Sequence, residues 1–365
     1  MMKYQRITHL QFFFIQAMAS IGMVTLRFPA HVIQAMDRHA WMIVVFAFII
    51  AMINLFIAMS LTKRHPNENL IEISRRYLGK WVGAVYALFV IGESFLLSIL
   101  MFWENWAYVS YTQLKNTPVG LIAVLFLLVI LYLLLTGLEA WSRLVQILGF
   151  FLLISIPLLN LPQLSNANFG RLLPLTNVDW GQLHNNLSLH GLLMFKGILV
   201  IFFLKPHVQD NGKLFPLSIF ALLLAFFQVL PSFLLPVAVF GAKTAAKFSF
   251  PYSESMETAP LYLLPIEKIS FIAPFFYLML LTVMMLVSLY CCEASIRTLL
   301  KTKKERPIFI IITILAMSIL IWPVSLPFTM KIYPYWSYMY LFVFILVPIY
   351  MWVAGLLRKK AGAAH

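Results

Sequence analysis

Residues 19–29 read ASIGMVTLRFP, and residues 192–206 read LLMFKGILVIFFLKP. Both stretches lie in apolar runs long enough to cross a bilayer, and both interrupt their helix with groups that lipid does not accommodate. The first crowds Gly22, Arg27 and Pro29 into half a helix length, and the second sets Lys196 beside Gly197. Unwinding there frees backbone N–H and C=O groups, which are tolerated at membrane depth only where protein, water or a ligand bonds them. Transporters built from inverted repeats place their solute between two such broken helices near the midplane. Close helix packing through the glycines is the other reading, since small residues are common in membrane helices.

The rest of the chain agrees that lipid is its solvent. Of 365 residues, 62% are hydrophobic and 11% charged, with a mean hydropathy of +0.89, and no water-soluble domain of this size could cover so much apolar surface. At about 20 apolar residues per crossing, ten spans can be marked: Leu10–Ala35, Trp41–Leu61, Trp81–Ser110, Pro118–Leu135, Leu144–Leu161, Leu187–Leu204, Leu214–Phe240, Phe271–Cys292, Ile308–Leu326 and Met339–Leu357. Ten spans divide into five plus five, and the odd number per half inverts the second half relative to the first. The predicted fold is therefore all-α, a ten-helix inverted repeat of the LeuT type with broken first and sixth helices. It forms a single membrane domain, with repeats at 1–161 and 162–357 and a tail at 358–365.

The net charge of +14 does not call for nucleic acid, because the basic residues sit between spans. With the N-terminus inside, 18 of the 27 Lys and Arg fall in cytoplasmic segments, the bias that orients membrane proteins. Both termini are expected in the cytoplasm. The apolar chain running from Leu10 past Gly22 reads as a retained span rather than a cleaved leader. Adjacent Cys291 and Cys292 lack ligand-spaced histidines and suggest neither disulfide nor metal. There is no phosphate-binding glycine loop, HExxH or GxSxG, so no enzyme, cofactor or metal is expected.

Between spans, TKRHPNENLIEISRRYLGK at 62–80 suits a short surface helix with Leu70, Ile71, Ile73 and Tyr77 on one face. The two proline-rich outer loops, at 162–186 and 241–268, are candidate lids or partner surfaces.

Ionisable groups inside spans each need a partner or a wet cavity. Glu93 lies about 18 Å into the third span and Lys196 near the middle of the sixth, so the two could pair. Glu104 follows Glu93 by 11 residues on the same helical face, which could form a polar path; a structural ion pair with Glu104 at the outer interface is the alternative. Arg27 could face a ligand carboxylate, pair with Asp37 or snorkel outward. His190 reads as interfacial, and Glu293 as a surface salt bridge. The ligand is expected at Gly22, Met23, Val24, Thr25, Arg27, Phe195, Lys196 and Gly197, with helix ends suited to a carboxylate and apolar neighbours bounding its side chain.

Five stretches in fixed order carry a family resemblance: QFFFIQAMASIGMVTLRFPAHVIQAMDRHAWM from Gln11, RHPNENLIEISRRYLGKWVG from Arg64, TGLEAWSRLVQ from Thr136, NFGRLLPL from Asn168 and APLYLLPIEKISFI from Ala259. With these, the chain resembles the permease-like B subunits of spore germinant receptors, relatives of the amino acid, polyamine and organocation transporters. The likeness runs essentially end to end. It implies a small nutrient, often an amino acid or sugar, bound in a transporter-like pocket. It also implies partners, a larger membrane-anchored A subunit and a C-subunit lipoprotein, in the spore inner membrane. The chain departs from the family pattern at Ile198, where an acidic residue is frequent after the glycine, and at the apolar APFFY that begins at Ala273, so ligand specificity does not carry over. A working transporter, moving a small solute with a coupled ion, shares the architecture and remains the competing expectation.

Overall fold

The structure, a computed structural model, describes residues 6–22, 27–112, 114, 116–174, 191–208, 212–258, 273–322 and 326–362. These form α-helices joined by short turns, with no β-strand among the described residues beyond one isolated bridge between Ile7 and Val208. In chain order they are α1 (His9–Ile21), α2 (Phe28–Met36), α3 (Ala40–Arg64), α4 (Leu70–Thr112), α5 (Val119–Thr136), α6 (Leu138–Asn160), α7 (Ile198–Leu204), α8 (Leu214–Phe240), α9 (Pro251–Glu257), α10 (Ala273–Leu300), α11 (Arg306–Leu320), α12 (Leu326–Leu341) and α13 (Val347–Gly362). The last two are joined by a π-turn at Phe342–Leu346.

Among the described residues, seven helical stretches are long and apolar enough to cross a membrane: Phe28–Arg64, Leu70–Thr112, Val119–Thr136, Leu138–Asn166, Leu214–Phe240, Ala273–Leu300 and Lys331–Leu357. Three further apolar helices, His9–Ile21, Ile198–His207 and Arg306–Leu320, are shorter. The chain is thus a helical integral membrane protein. Ten spans were expected, and the three that fall short have identifiable causes. The first and sixth are interrupted where the glycine and cation signals lie, and the ninth forms 15 residues of helix that end at Leu320, three residues ahead of Pro323 in the sequence.

Burial separates the helices into inner and lipid-facing ones. All but three of the 13 residues of α1 are buried, as is every residue of α7. By contrast α5 buries only Val119, Ala123, Leu127, Ile130 and Leu134, a single stripe at helical spacing, and turns the rest of its apolar surface to lipid. Accordingly α1 is enclosed by α6, α7, α8 and α10, while α4 lies along α10 for most of its length. Thr8 fixes the start of α1 through a reciprocal cap: its Oγ1 accepts from Gln11 N at 3.2 Å and its N–H donates to Gln11 Oε1 at 2.9 Å, satisfying two end groups at once.

The short helix expected within 62–80 is present from Leu70 to the break at Gly79, whose φ of 83° suits only glycine without strain and where the chain turns back so that Arg75 packs against Gly83. Leu70, Ile71 and Ile73 are fully buried, and Arg75 donates to the Thr298 and Leu299 carbonyls at the end of α10 at 3.0 and 3.2 Å. Protein, not lipid, covers this face. Of the two candidate lids, the later one carries α9 within its described residues, pinned by buried side chains. Tyr252 Oη donates to Asn160 Oδ1 at 2.5 Å, Asn160 Nδ2 reaches Gln228 Oε1 at 3.3 Å, and Ser255 Oγ donates to Gln163 Oε1 at 2.6 Å.

Candidate functional site

The helical chain stops at Ile21 and resumes at Phe28; it stops again after Leu192 and resumes at Ile198. These two interruptions meet in space. A Cβ placed on Gly197, at the start of α7, would overlap Ser20 Oγ and lie 2.7 Å from the Gln16 carbonyl oxygen, both in α1. Ser20 Oγ in turn donates to that carbonyl at 2.8 Å. Gly22, where α1 ends, would set a Cβ 3.1 Å from Met284 Cβ in α10. Close packing is therefore a real task of both glycines, and it is this packing that sets one break beside the other. Of the remaining residues of the expected site, Phe195 is buried with its ring edge-on to Phe48 at 6.1 Å. Met23, Val24 and Thr25 lie outside the described residues, as do His190 and the stretch 259–272.

Lys196 and Glu93 both sit against Trp336 of α12. Lys196 Nζ lies 2.9 Å from the centroid of the indole and 4.9 Å from that of Tyr340, a cation enclosed by two aromatic faces. Glu93 Oε1 accepts from Trp336 Nε1 at 3.2 Å. Both residues are at most 2% exposed. Among the described residues, Lys196 Nζ and Glu93 Oε2 have no hydrogen-bond partner, nor has Oε1 of the buried Gln16, whose backbone carbonyl lies against Gly197. A buried amine, carboxylate oxygen and amide oxygen without partners are what a polar solute would satisfy, because leaving such groups bare costs roughly 1–3 kcal/mol each.

A second polar group lies further along α4. Glu104 Oε1 accepts from Tyr333 Oη. Arg27 is half-buried with Nη1 unpartnered, while Asp37 pairs with Arg38 at 3.4 Å. One face of α4 thus carries Tyr86, Glu93 and Glu104, and the facing stripe of α12 carries Tyr333, Trp336 and Tyr340. The helices run antiparallel, since Tyr86 Oη donates to the Val343 carbonyl in the π-turn at 2.7 Å while Glu104 meets Tyr333. π-Turns recur at functional positions in helices.

The tenth span expected from the sequence begins at Met339 and so leaves Tyr333 and Trp336 of the α12 aromatics outside it. Their spacing of three and seven residues was the available signal, obscured by Pro334 inside the helix. Glu293, expected on the surface, is fully buried. It pairs with Arg297 at 3.0 Å, and Arg297 also reaches Glu305 at 3.2 Å. Arg297 lines a cavity of about 650 Å³ together with Trp141, Phe203, His207 and Tyr290 among others. That cavity lies past the far end of α7, six residues and more beyond Gly197, rather than at the interruptions.

Residues 6–329 match a family model described as spore germination protein. The chain belongs to that family. The match takes in both interruptions, Glu93 and Glu104, and ends just before Tyr333 and Trp336. In agreement, the chain is similar to Spore germination protein A2 of Bacillus subtilis (strain 168), 22% identical over 349 residues that cover 94% of this chain and 93% of that protein.

Proposed function

We propose that this chain is the nutrient-sensing subunit of a spore germination receptor. It binds a small solute, an amino acid or a sugar, where the two broken helices meet, and signals to a larger membrane-anchored A subunit and a C-subunit lipoprotein in the spore inner membrane. In this reading the seven long and three short apolar helices are ten spans in a five-plus-five inverted repeat, residues 1–161 and 162–357. The tail at 358–365 and the N-terminus are cytoplasmic. Gly22, Met23, Val24, Thr25, Arg27, Phe195, Lys196 and Gly197 contact the solute, while Glu93, Glu104 and Lys196 form the buried polar path beside it. What supports the reading is membership of the germination family together with the unpartnered Lys196 Nζ and Glu93 Oε2 next to the contact of Gly197 with Ser20.

The test exchanges Val24, Thr25 and Phe195 for residues of different size and measures the nutrient concentration giving half-maximal germination, with protein level checked by immunoblot. A shift for at least one nutrient is expected, because a change of a methylene or two in a solute pocket is worth roughly 10–200-fold. Unchanged concentration dependence for every nutrient at normal protein level would place the pocket elsewhere. Accumulation of labelled solute in vesicles holding this chain alone would instead establish a transporter.

A further inference from the structure

Helix α4 lies along α10, whereas α5 packs against α11, α6 and α10, and a groove of about 360 Å³ opens between α4 and α5 on the flank of the molecule. Its walls are two facing stripes. Phe102, Asn105, Trp106 and Val109 of α4 recur at three, four and seven residues, as do Ile122, Leu125, Phe126 and Val129 of α5, the spacing of one helical face. Phe275 and Leu278 of α10 join them. The rings of Phe102 and Phe126 meet at 6.1 Å and close the inner end, while exposed Leu125, Val129 and Phe275 leave the groove open along a membrane-embedded surface. The lining is apolar with one exception. Asn105 is only 5% exposed, and among the described residues its Oδ1 has no hydrogen-bond partner. Its neighbour Glu104 turns away to Tyr333, and no ionisable side chain joins the described lining.

A buried amide left bare in an apolar wall is costly, and apolar walls with one or two polar groups that orient the occupant are the usual make-up of a small-molecule site. We propose that this groove binds a neutral amphiphile with one hydroxyl head and a short apolar tail, the hydroxyl on the Asn105 amide and the tail along Trp106, Val109 and Leu125. The site shares no residue with the solute site at the two helix interruptions. An amide turned about its last bond offers either a donor or an acceptor, and a hydroxyl answers both. A carboxylate or an ammonium would be desolvated here without a counter-charge. Length selects as well. Phe102 to Val109 is seven residues, about 10 Å of helix, against the roughly 15 Å of hydrocarbon in one leaflet. A phospholipid acyl chain reaching this depth would set methylenes on Asn105 and leave its amide bare, so the shorter alcohol fits better.

Photolabelling of the full-length protein in phosphatidylglycerol nanodiscs tests this, with a diazirine-bearing octanol as the probe and the labelled residues read by peptide mass spectrometry. Label is expected on the facing walls of α4 and α5. Octanol should displace it better than chlorooctane, which lacks a hydrogen-bonding head, and better than octanoate, which is charged. Asn105→Leu should weaken displacement by octanol roughly 2–12-fold, the worth of one net hydrogen bond, and leave that by chlorooctane unchanged. Asn105 is buried, so a second variant is placed where folding is not at stake: Leu125 is exposed, and in Leu125→Trp the indole should fill the groove and abolish the labelling. Leu121→Trp, at an exposed position of the same helix outside the groove, should have no effect. Equal displacement by the three compounds, or Leu125→Trp protein labelled on these walls as wild type is, would overturn the assignment. So would label that appears in detergent and is lost in nanodiscs, which marks a groove filled by bilayer lipid. A dimer that Leu125→Trp dissolves, with no label in the groove, would also overturn it by assigning the groove to a second copy of the chain.

Discussion

Replacing Lys196 by methionine removes the cation above Trp336 while keeping a long apolar stem in the same space. Two losses follow. The desolvated cation–π contact, at 2.9 Å from the ring centroid, is worth about 2 kcal/mol. In addition Glu93, fully buried with Oε2 unpartnered, then stands as a net charge at membrane depth, where insertion scales assign about 2.5–3.5 kcal/mol. Trp336 stands at both groups, its N–H on the carboxylate and its face on the amine. The second change, Glu93→Gln, therefore removes the charge penalty but cannot restore the cation–π contact. The double variant should regain more than half of what Lys196→Met loses. Trp336→Phe, which keeps a ring but deletes the N–H, should cost about 1.5–3 kcal/mol with Glu93 present, and much less after Glu93→Gln. Thermal melting of purified protein orders these variants, and the germination dose response reads whether the site still works. A double variant no better than the worse single one, or a Trp336→Phe cost independent of residue 93, would refute the coupled triad.

Other outcomes follow from the same contacts. Gly197→Ala should destabilise by roughly 1–3 kcal/mol as an overpacked contact, and Ser20→Ala should relieve only part of it, since the Gln16 carbonyl remains 2.7 Å from the new methyl; full rescue in melting experiments would show that the backbone of α1 yields. Tyr333→Phe should cost about 1–3 kcal/mol by stripping Glu104 of its donor, and Glu104→Gln should recover some of that in the same melt. Tyr252→Phe breaks the bond to Asn160 and should loosen α9, read as faster proteolysis near Pro251. Reporter fusions after Asn168 and Ser253 should both read as outside the cytoplasm; a cytoplasmic signal from either would change the span count.

The sequence made the hydrophobic elements legible because each membrane helix states its own length in apolar residues, independently of its neighbours. The expected bounds Leu214–Phe240 recur unchanged in α8, and both interruptions fall at the glycine and cation signals. What pairs with what was not legible. Glu93 and Glu104 announced themselves by charge, but their partners Trp336 and Tyr333 are 243 and 229 residues away in the chain and look like ordinary interfacial aromatics. Glu293 was misread for a related reason. Proximity to a basic loop in sequence suggested an exposed pair, whereas the packing of α10 against α4 covers the carboxylate and leaves only Arg297 at the surface.

The short helix α7 links the interruption to the far side of the molecule. Its seven residues span about 10 Å and are buried throughout, so it has no soft surface along which to slip. It touches α1 at both ends: Gly197 lies against Ser20, and the turn after Leu204 brings the His207 carbonyl to the Ile7 N–H at 3.1 Å, just ahead of the cap that starts α1. His207 Nε2 and Tyr290 Oη share a hydrogen bond of 3.0 Å, which ties the same end to α10, whose Met284 meets Gly22 at the other. α1, α7 and α10 therefore enclose the break between two fixed contacts rather than one. A change of spacing at Gly197 cannot be absorbed within α7 and must appear at His207, beside the 650 Å³ cavity. Cores this closely packed shift between discrete arrangements rather than deform smoothly, which is the mechanical property that the proposed sensing role needs.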